Sequence, residues 1–464
     1  MKKKATEQNF EIDNPSKQVL SSLLDHFQNG RLHDAEKLAL STTNKFPKHQ
    51  FAWKVLGAVF GATGRMSQAM DANKTAVELS PEDATAHNNL GITFQELERF
   101  DEAEASYRQA IALKHDFAEA HYNFSVTLQT LGKLNDAESS CRQAIALKPD
   151  YAEAHNNLGI TLQELGRLEE AESSYREATI LKPDYAEAHY NLGITLHELG
   201  RLEEAEAKYR RTIALKSEYP EAHYNLGVIL KQLGKLNEAE SSYRNAITLK
   251  PDYAEAHYNL GITLHELGEL DEVEANYKQA IVLKPDYAEA YSNLGNILQE
   301  LGRYHEAESR YREAIALKPN HAGAHNNLGE ALNELGKLDE AEACYRDAIA
   351  LKPDFTGAHF NLAITLKEQS RFNEAETSLR QALVLKPNYT EAHNQLLDCL
   401  FLQDKKTIFS DELDSLINED KTSAIIGSLT SRSYLKYGLK KPNLFCSKPL
   451  KYVLHNDLSK QYDF

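Results

Sequence analysis

The chain has 464 residues, 42% of them hydrophobic, which is enough apolar material for a buried core, and a net charge of −17. Ten Lys or Arg against eight Asp or Glu lie from Asp404 onward, so residues 1–403 carry −19, a field that repels phosphate backbones and argues against a nucleic-acid ligand. No run approaches the about 20 apolar residues of a membrane-spanning helix, and Cys141, Cys344, Cys399 and Cys446 are too scattered for a CxxC metal site or a disulfide framework.

Residues 1–15 open MKKKATEQNF with no apolar run behind the lysines, so they read as a tail without a secretory signal, on a soluble cytoplasmic chain. From there a period of 34 takes over: His87, His121, His155, His189, His223 and His257 recur at that spacing, as do His325, His359 and His393. Tyr291 fills the gap and Trp53 extends the frame upstream. With each repeat begun three residues before that position, full repeats start at 50, 84, 118, 152, 186, 220, 254, 288, 322 and 356. A degenerate repeat covers residues 16–49, and a half repeat follows from Thr390.

Within a repeat, apolar residues fall at helical spacing over two segments. The first stops at a Gly such as Gly166, Gly200 or Gly302, and Gly takes the left-handed conformation that closes a helix. The second stops at a Pro such as Pro149, Pro183 or Pro285, which cannot continue a helix interior. Each repeat therefore predicts helix A, a turn, helix B and a turn. Gly159 and Gly193 in helix A, with Ala171 and Ala205 in helix B, leave room for the two helices to approach, while Leu158, Leu192 and Tyr175 fill the space around them. Departures are local: Glu98 and Ser370 replace the turn Gly, His115 and Ser217 the closing Pro, and Val273 and Thr212 small alanines. Looser turns or a small change of pitch are expected there. After Leu402 the period ends, and an amphipathic helix over Phe409–Ile417 is expected to cap the array, with residues 404–464 as a non-repeat C-terminal cap and tail.

A helical wheel separates the faces of helix A. In the repeat that begins at 186, His189, Leu192, Gly193, Leu196 and Leu199 cluster on the buried side. Helices in adjacent layers pack about 8 to 10 Å apart, too far for successive imidazoles to share a metal ion, so the His ladder reads as core. The opposite side carries Asn89, Asn123, Asn157, Asn191, Asn225, Asn259, Asn293, Asn327 and Asn361, one per repeat. Asn is a mediocre helix former, so an exposed stripe of it needs a reason. Either the amides brace the neighbouring helix, or their paired donor and acceptor grip the backbone of an extended peptide. Tyr190, Tyr224, Tyr258, His197 and His265 flank this stripe, and Glu164, Glu198 and Glu266 lie beside it. An apolar β-branched stripe, including Ile92, Ile160, Ile194 and Ile364, runs alongside and is interrupted by Asn296 and Glu330. Paired carboxylates such as Glu169 and Glu170 recur on helix B and share no pocket with a nucleophile; catalysis needs a unique constellation, so no enzyme and no cofactor are expected.

Trp53, Leu56, Gly57, Ala69, Ala76 and Pro81 in one repeat, with Leu192, Gly193 and Ala205 in another, make residues 16–403 resemble the tetratricopeptide repeat family. The resemblance implies an all-α, right-handed superhelical solenoid of about eleven helix-turn-helix repeats plus a half repeat, with helix A lining the concave face. The Asn stripe is similar to the one on the tetratricopeptide arm of O-linked N-acetylglucosamine transferases. Residues 426–446 and 449–458 resemble the lead-in to iron/2-oxoglutarate oxygenase-like domains of some bacterial proteins. The expected function is a non-catalytic scaffold for other proteins or extended peptides, neutral or basic in charge; the alternative is the substrate-recruiting arm of a larger glycosyltransferase or oxygenase. The sequence leaves a homodimer open.

Overall fold

The computed structural model describes residues 14–418 and 436–437, and the structural statements below concern those residues. Among them are 24 helices and no strand, an all-α repeat fold. The chain divides into two compact units, residues 1–235 and 236–464. In the first, six successive helix pairs run from Lys17–Gln28 and Leu32–Lys45 to Ala186–Glu198 and Leu202–Leu215, and Pro220–Gln232 follows. In the second, Leu236–Leu249 precedes five pairs, from Ala254–Leu267 and Leu270–Leu283 to Thr390–Leu402 and Lys406–Asn418.

The turns follow from local chemistry. Gly166 has φ of 74°; its N–H donates to the Gln163 carbonyl at 2.9 Å and the Arg167 N–H to the Leu162 carbonyl at 2.9 Å, which satisfies helix-end acceptors. Glu98 and Ser370 take the same left-handed conformation, with φ of 56° and 62°. The looser turns expected at these positions are therefore absent, because the same closing bonds form there, from the Glu98 N–H to the Gln95 carbonyl at 2.9 Å and from the Ser370 N–H to the Lys367 carbonyl at 2.9 Å. Val273 and Thr212 are fully buried at the alanine positions.

Helices A and B of a repeat meet through a void matched to a ring. A β-carbon added at Gly159, Gly261, Gly295 or Gly329 would lie 2.6 to 2.7 Å from Cε1 of the Tyr 16 residues later. Where that Tyr is replaced by Cys141 or Leu379, the Gly position holds Ser125 or Ala363, both buried. Successive B helices are joined by ion pairs: Glu172 Oε1 meets Arg176 Nη2 at 2.7 Å and Arg201 Nη1 at 2.6 Å, and the pattern recurs as Glu138 with Arg167 and Glu308 with Lys337.

The helix Lys406–Asn418 does more than close the end. Asp404 takes the turn-glycine φ at 57°, Lys405 Nζ pairs with Glu376 at 2.7 Å as its counterparts do one repeat earlier, and Phe409, Leu413 and Leu416 are buried. The expected half repeat is thus completed by a B helix, which the change in sequence signature concealed. Lys436 Nζ lies 2.8 Å from the Phe401 carbonyl oxygen. The remaining residues of segments 426–446 and 449–458, like residues 1–13, lie outside the described residues.

Candidate functional site

The His ladder orients helix A from inside. His189 Nε2 lies 3.2 Å from the Pro183 carbonyl oxygen, and because a carbonyl only accepts, Nε2 must carry the hydrogen. The same bond forms at His155 to Pro149, His325 to Pro319 and His359 to Pro353, at 3.0 to 3.1 Å. Trp53 Nε1 donates to the Pro47 carbonyl at 2.8 Å in the same register. An imidazole N–H and an indole N–H therefore perform one task, pinning helix A to the preceding turn. Burial pushes the His189 pKa below its ordinary value, with the bond to Pro183 opposing, so the ring stays neutral at pH 7. Among the described residues, no group of three or more His, Cys, Asp or Glu could hold a metal ion.

The Asn ladder departs from the expected exposed stripe. Asn157 is buried and the other eight are half-buried, because successive A helices sit close enough for the amides to span the seam. Asn123 Nδ2 donates to Asn88 Oδ1, Asn191 to Asn156 and Asn361 to Asn326, each at 3.2 Å and each 35 residues back. Where that position holds Tyr, Asn225 donates to Tyr190 Oη and Asn293 to Tyr258 Oη, both at 3.1 Å. Asn157 reaches Ser125 Oγ at 2.9 Å, Asn327 reaches Asn296 Oδ1 at 2.9 Å, and Asn259 turns to its own helix at the Glu255 carbonyl, 3.0 Å away. Asn89 is half-buried like its neighbours. In seven of the nine rungs an amide hydrogen is thus committed to bracing the preceding repeat, the local role foreseen as one of two.

The flanking residues follow the same step. Tyr190 packs against Tyr219 with centroids 4.8 Å apart and ring planes tilted by 32°, and Tyr258 against Tyr287 at 4.7 Å and 41°; Tyr224 is half-buried. His197 Nε2 is 3.1 Å from Gln232 Oε1, and His265 Nε2 is 3.1 Å from Glu300 Oε2. Glu164 and Glu198 are exposed and accept from Gln129 and Gln163 of the preceding repeat at 3.2 Å; Glu266 is exposed. The face is therefore a row of amides at half depth, edged by carboxylates at the surface.

In the second unit this face deepens into a groove of about 660 Å³, lined by Asn296, Gln299, Glu330, Tyr345, Phe360 and Asn361 among others. Sequence reading registered Asn296 and Glu330 only as gaps in an apolar stripe. Two polar replacements at one position in consecutive repeats were the available signal.

Repeat-family models match residues 23–84 and 84–117, described as tetratricopeptide repeat, and 128–166 and 161–200, described as TPR repeat. The repeats are tetratricopeptide repeats. A model described as Cilia and flagella-associated protein 70 C-terminal domain matches residues 184–398. No match was found among the curated proteins. Solved tetratricopeptide and related structures similar to the chain include YrrB, described as a TPR protein with an unusual peptide-binding site, at 24% identity over 40% of this chain and 96% of that one, TM-score 0.37. The APC/C hetero-tetramer Cut9–Hcn1 is 14% identical over 90% of this chain and 96% of that one, TM-score 0.45. PilF of Pseudomonas aeruginosa is 22% identical over 44% and 92%, TM-score 0.41. A chain of tetratricopeptide repeats is a protein-interaction scaffold, and among the described residues no helix is long and apolar enough to cross a membrane.

Proposed function

We propose that the chain binds extended protein segments along the helix-A face of its units, without catalysis, and that the Asn ladder supplies the sequence-independent part of the grip. The observation that carries this reading is the division of labour within amides such as Asn191. Asn191 commits one hydrogen to Asn156, and its carbonyl oxygen remains an acceptor at the face. Helices packed about 8 to 10 Å apart and an extended chain advancing about 3.3 Å per residue give one amide for about every three peptide residues. Edging carboxylates such as Glu164 and Glu198 favour a neutral or basic partner, and a cytoplasmic scaffold acting alone or as a homodimer fits the reading equally.

The test separates grip from bracing. Replacing Asn157, Asn191 and Asn225 by Ala should abolish binding to an immobilised library of randomised peptides, whereas Tyr190→Phe, which removes only the acceptor for Asn225, should leave binding intact. Unchanged binding by a folded triple variant would sink the proposed role. A second reading, the recruiting arm of a larger glycosyltransferase or oxygenase, rests on the sequence of residues 426–458; sequencing the reading frame around this segment in the native gene would decide it.

A further inference from the structure

The groove in the second unit breaks the uniformity of the ladder, and the geometry points to a subsite for an arginine side chain of a bound extended segment. The inference rests on the peptide-binding reading above and adds a side-chain specificity to it. The ninth residue of a repeat, Ile160, Ile194, Ile262 or Ile364 elsewhere, is Asn296 and then Glu330 in consecutive repeats. This exchange replaces two branched apolar side chains by an acceptor and a carboxylate and opens the groove of about 660 Å³, a volume within the range of about 300 to 1,000 Å³ in which side chains and small ligands are held.

Glu330 is fixed in place. Its Oε1 accepts from Asn326 Nδ2 at 2.8 Å and Asn361 Nδ2 at 2.7 Å, and its Oε2 has one long contact, Gln299 Nε2 at 3.3 Å. One carboxylate oxygen is thus saturated and used for orientation, and the other is available to a stronger donor. Asn296 is likewise held by the buried Tyr311 hydroxyl at 2.8 Å and by Asn327 at 2.9 Å. The floor is Tyr311 and Tyr345, 1% and 2% exposed, and Tyr304 and Phe360 contribute further aromatic wall.

Charge selects the occupant. Glu300, Glu330 and Glu334 line the groove with no Lys or Arg among the lining residues. Among the described residues only Glu300 of the three has an ion-pair partner, His265. The outer face of helix B differs, for Glu308 alone is matched by both Arg312 and Lys337. Burial, with the Glu330 charge adding to it, pushes the Tyr311 and Tyr345 hydroxyls above their ordinary range, so both stay neutral and the carboxylates set the charge of the groove. A guanidinium is the fitting guest. Its planar fork can donate to Glu330 Oε2 while its face lies on an aromatic ring, which an ammonium does less well.

The full chain is used to select from displayed randomised peptides of about 12 residues, which span about 40 Å when extended, in parallel with two variants. Asn296→Ile with Glu330→Ile restores the residue that other repeats carry and closes the groove; Glu330→Gln keeps an acceptor for the amides and removes the charge. Selection by the wild type is expected to enrich arginine at one position of the aligned peptides, and both variants, verified as helical, should lower that enrichment about tenfold while still retaining peptides. Peptides selected without arginine enrichment, or with lysine equally enriched, would overturn the subsite and leave peptide binding standing. Enrichment unchanged in both variants would overturn it as well, and failure to select any peptide would remove the subsite together with the reading it rests on.

Discussion

Gly193 and Tyr209 occupy one space: a β-carbon on Gly193 would stand 2.8 Å from Tyr209 Cε1, closer than carbon atoms pack. The ring is 1% exposed, so it cannot swing into solvent to make room. Gly193→Ala is expected to destabilise the first unit by about 1 to 3 kcal/mol through overpacking. The chain contains its own compensation, since Ala363 faces Leu379. Tyr209→Leu combined with Gly193→Ala should recover much of the loss in a double-mutant cycle read by thermal denaturation; additive losses would show that the two positions are independent.

A second relationship lies between B helices of the second unit. The 29-residue step that pairs Arg303 with Glu274 at 2.8 Å and Lys337 with Glu308 at 2.8 Å brings Glu269 to the station facing Glu240. Glu269 is exposed, and Leu270 beside it is 41% exposed, whereas Leu338 at the same station is half-buried. Glu269→Arg should complete the ladder and stabilise the second unit by about 0.5 to 1 kcal/mol. The gain should shrink when the melt is repeated in about 1 M salt, where the screening length falls to about 3 Å. A destabilised variant would mean that the like-charge rung is not a defect.

The period, the two helices of each repeat and the inward His189 were legible because they depend on spacing, and spacing is written in the sequence. The bond from His189 to the Pro183 carbonyl was not legible, because a wheel projection places a ring on a face without saying which backbone atom it meets. The Asn ladder shows the same limit. It was read as an exposed stripe, and its half-buried depth depends on how closely the next A helix approaches. The helix Lys406–Asn418 was legible as a cap but not as a B helix of the repeat, because Asp404 stands in for glycine and no closing Pro follows in register. The groove at Asn296 and Glu330 needed three repeats folded together before two gaps became one cavity.

Positive φ at Glu98 and Ser370, 56° and 62°, yields a third expectation. The left-handed region costs a residue with a β-carbon about 1 to 2 kcal/mol, partly offset by the greater freedom that Gly brings to the unfolded chain. Glu98→Gly and Ser370→Gly should each raise stability by up to about 1 kcal/mol, measured as an increase in denaturation midpoint. Neither change should alter helicity by circular dichroism, since nine Gly residues already hold this conformation. Destabilisation by either would indicate that the side chain supplies a contact worth more than the strain.

Asp83 makes part of the first unit's stability sensitive to acid. Burial raises its pKa, but the Lys54 ammonium at 2.8 Å, the Gln50 amide at 2.6 Å and the Ala86 N–H outweigh this and bring it from 3.8 down to about 2. The carboxylate also caps the helix Ala84–Glu96 by accepting from the Thr85 N–H at 2.9 Å. A pKa depressed on folding contributes stability that is present above the unfolded value and lost as pH falls through the folded one. The wild type should therefore lose this contribution between about pH 4 and pH 2. Asp83→Asn keeps a capping oxygen and removes the titrating charge, so it should be less stable than the wild type at pH 7 and approach it at pH 2. Melting followed across this range checks the sign: a difference that persists undiminished at pH 2 would assign the cost to the cap or to packing, and one that vanishes assigns it to the ion pair with Lys54.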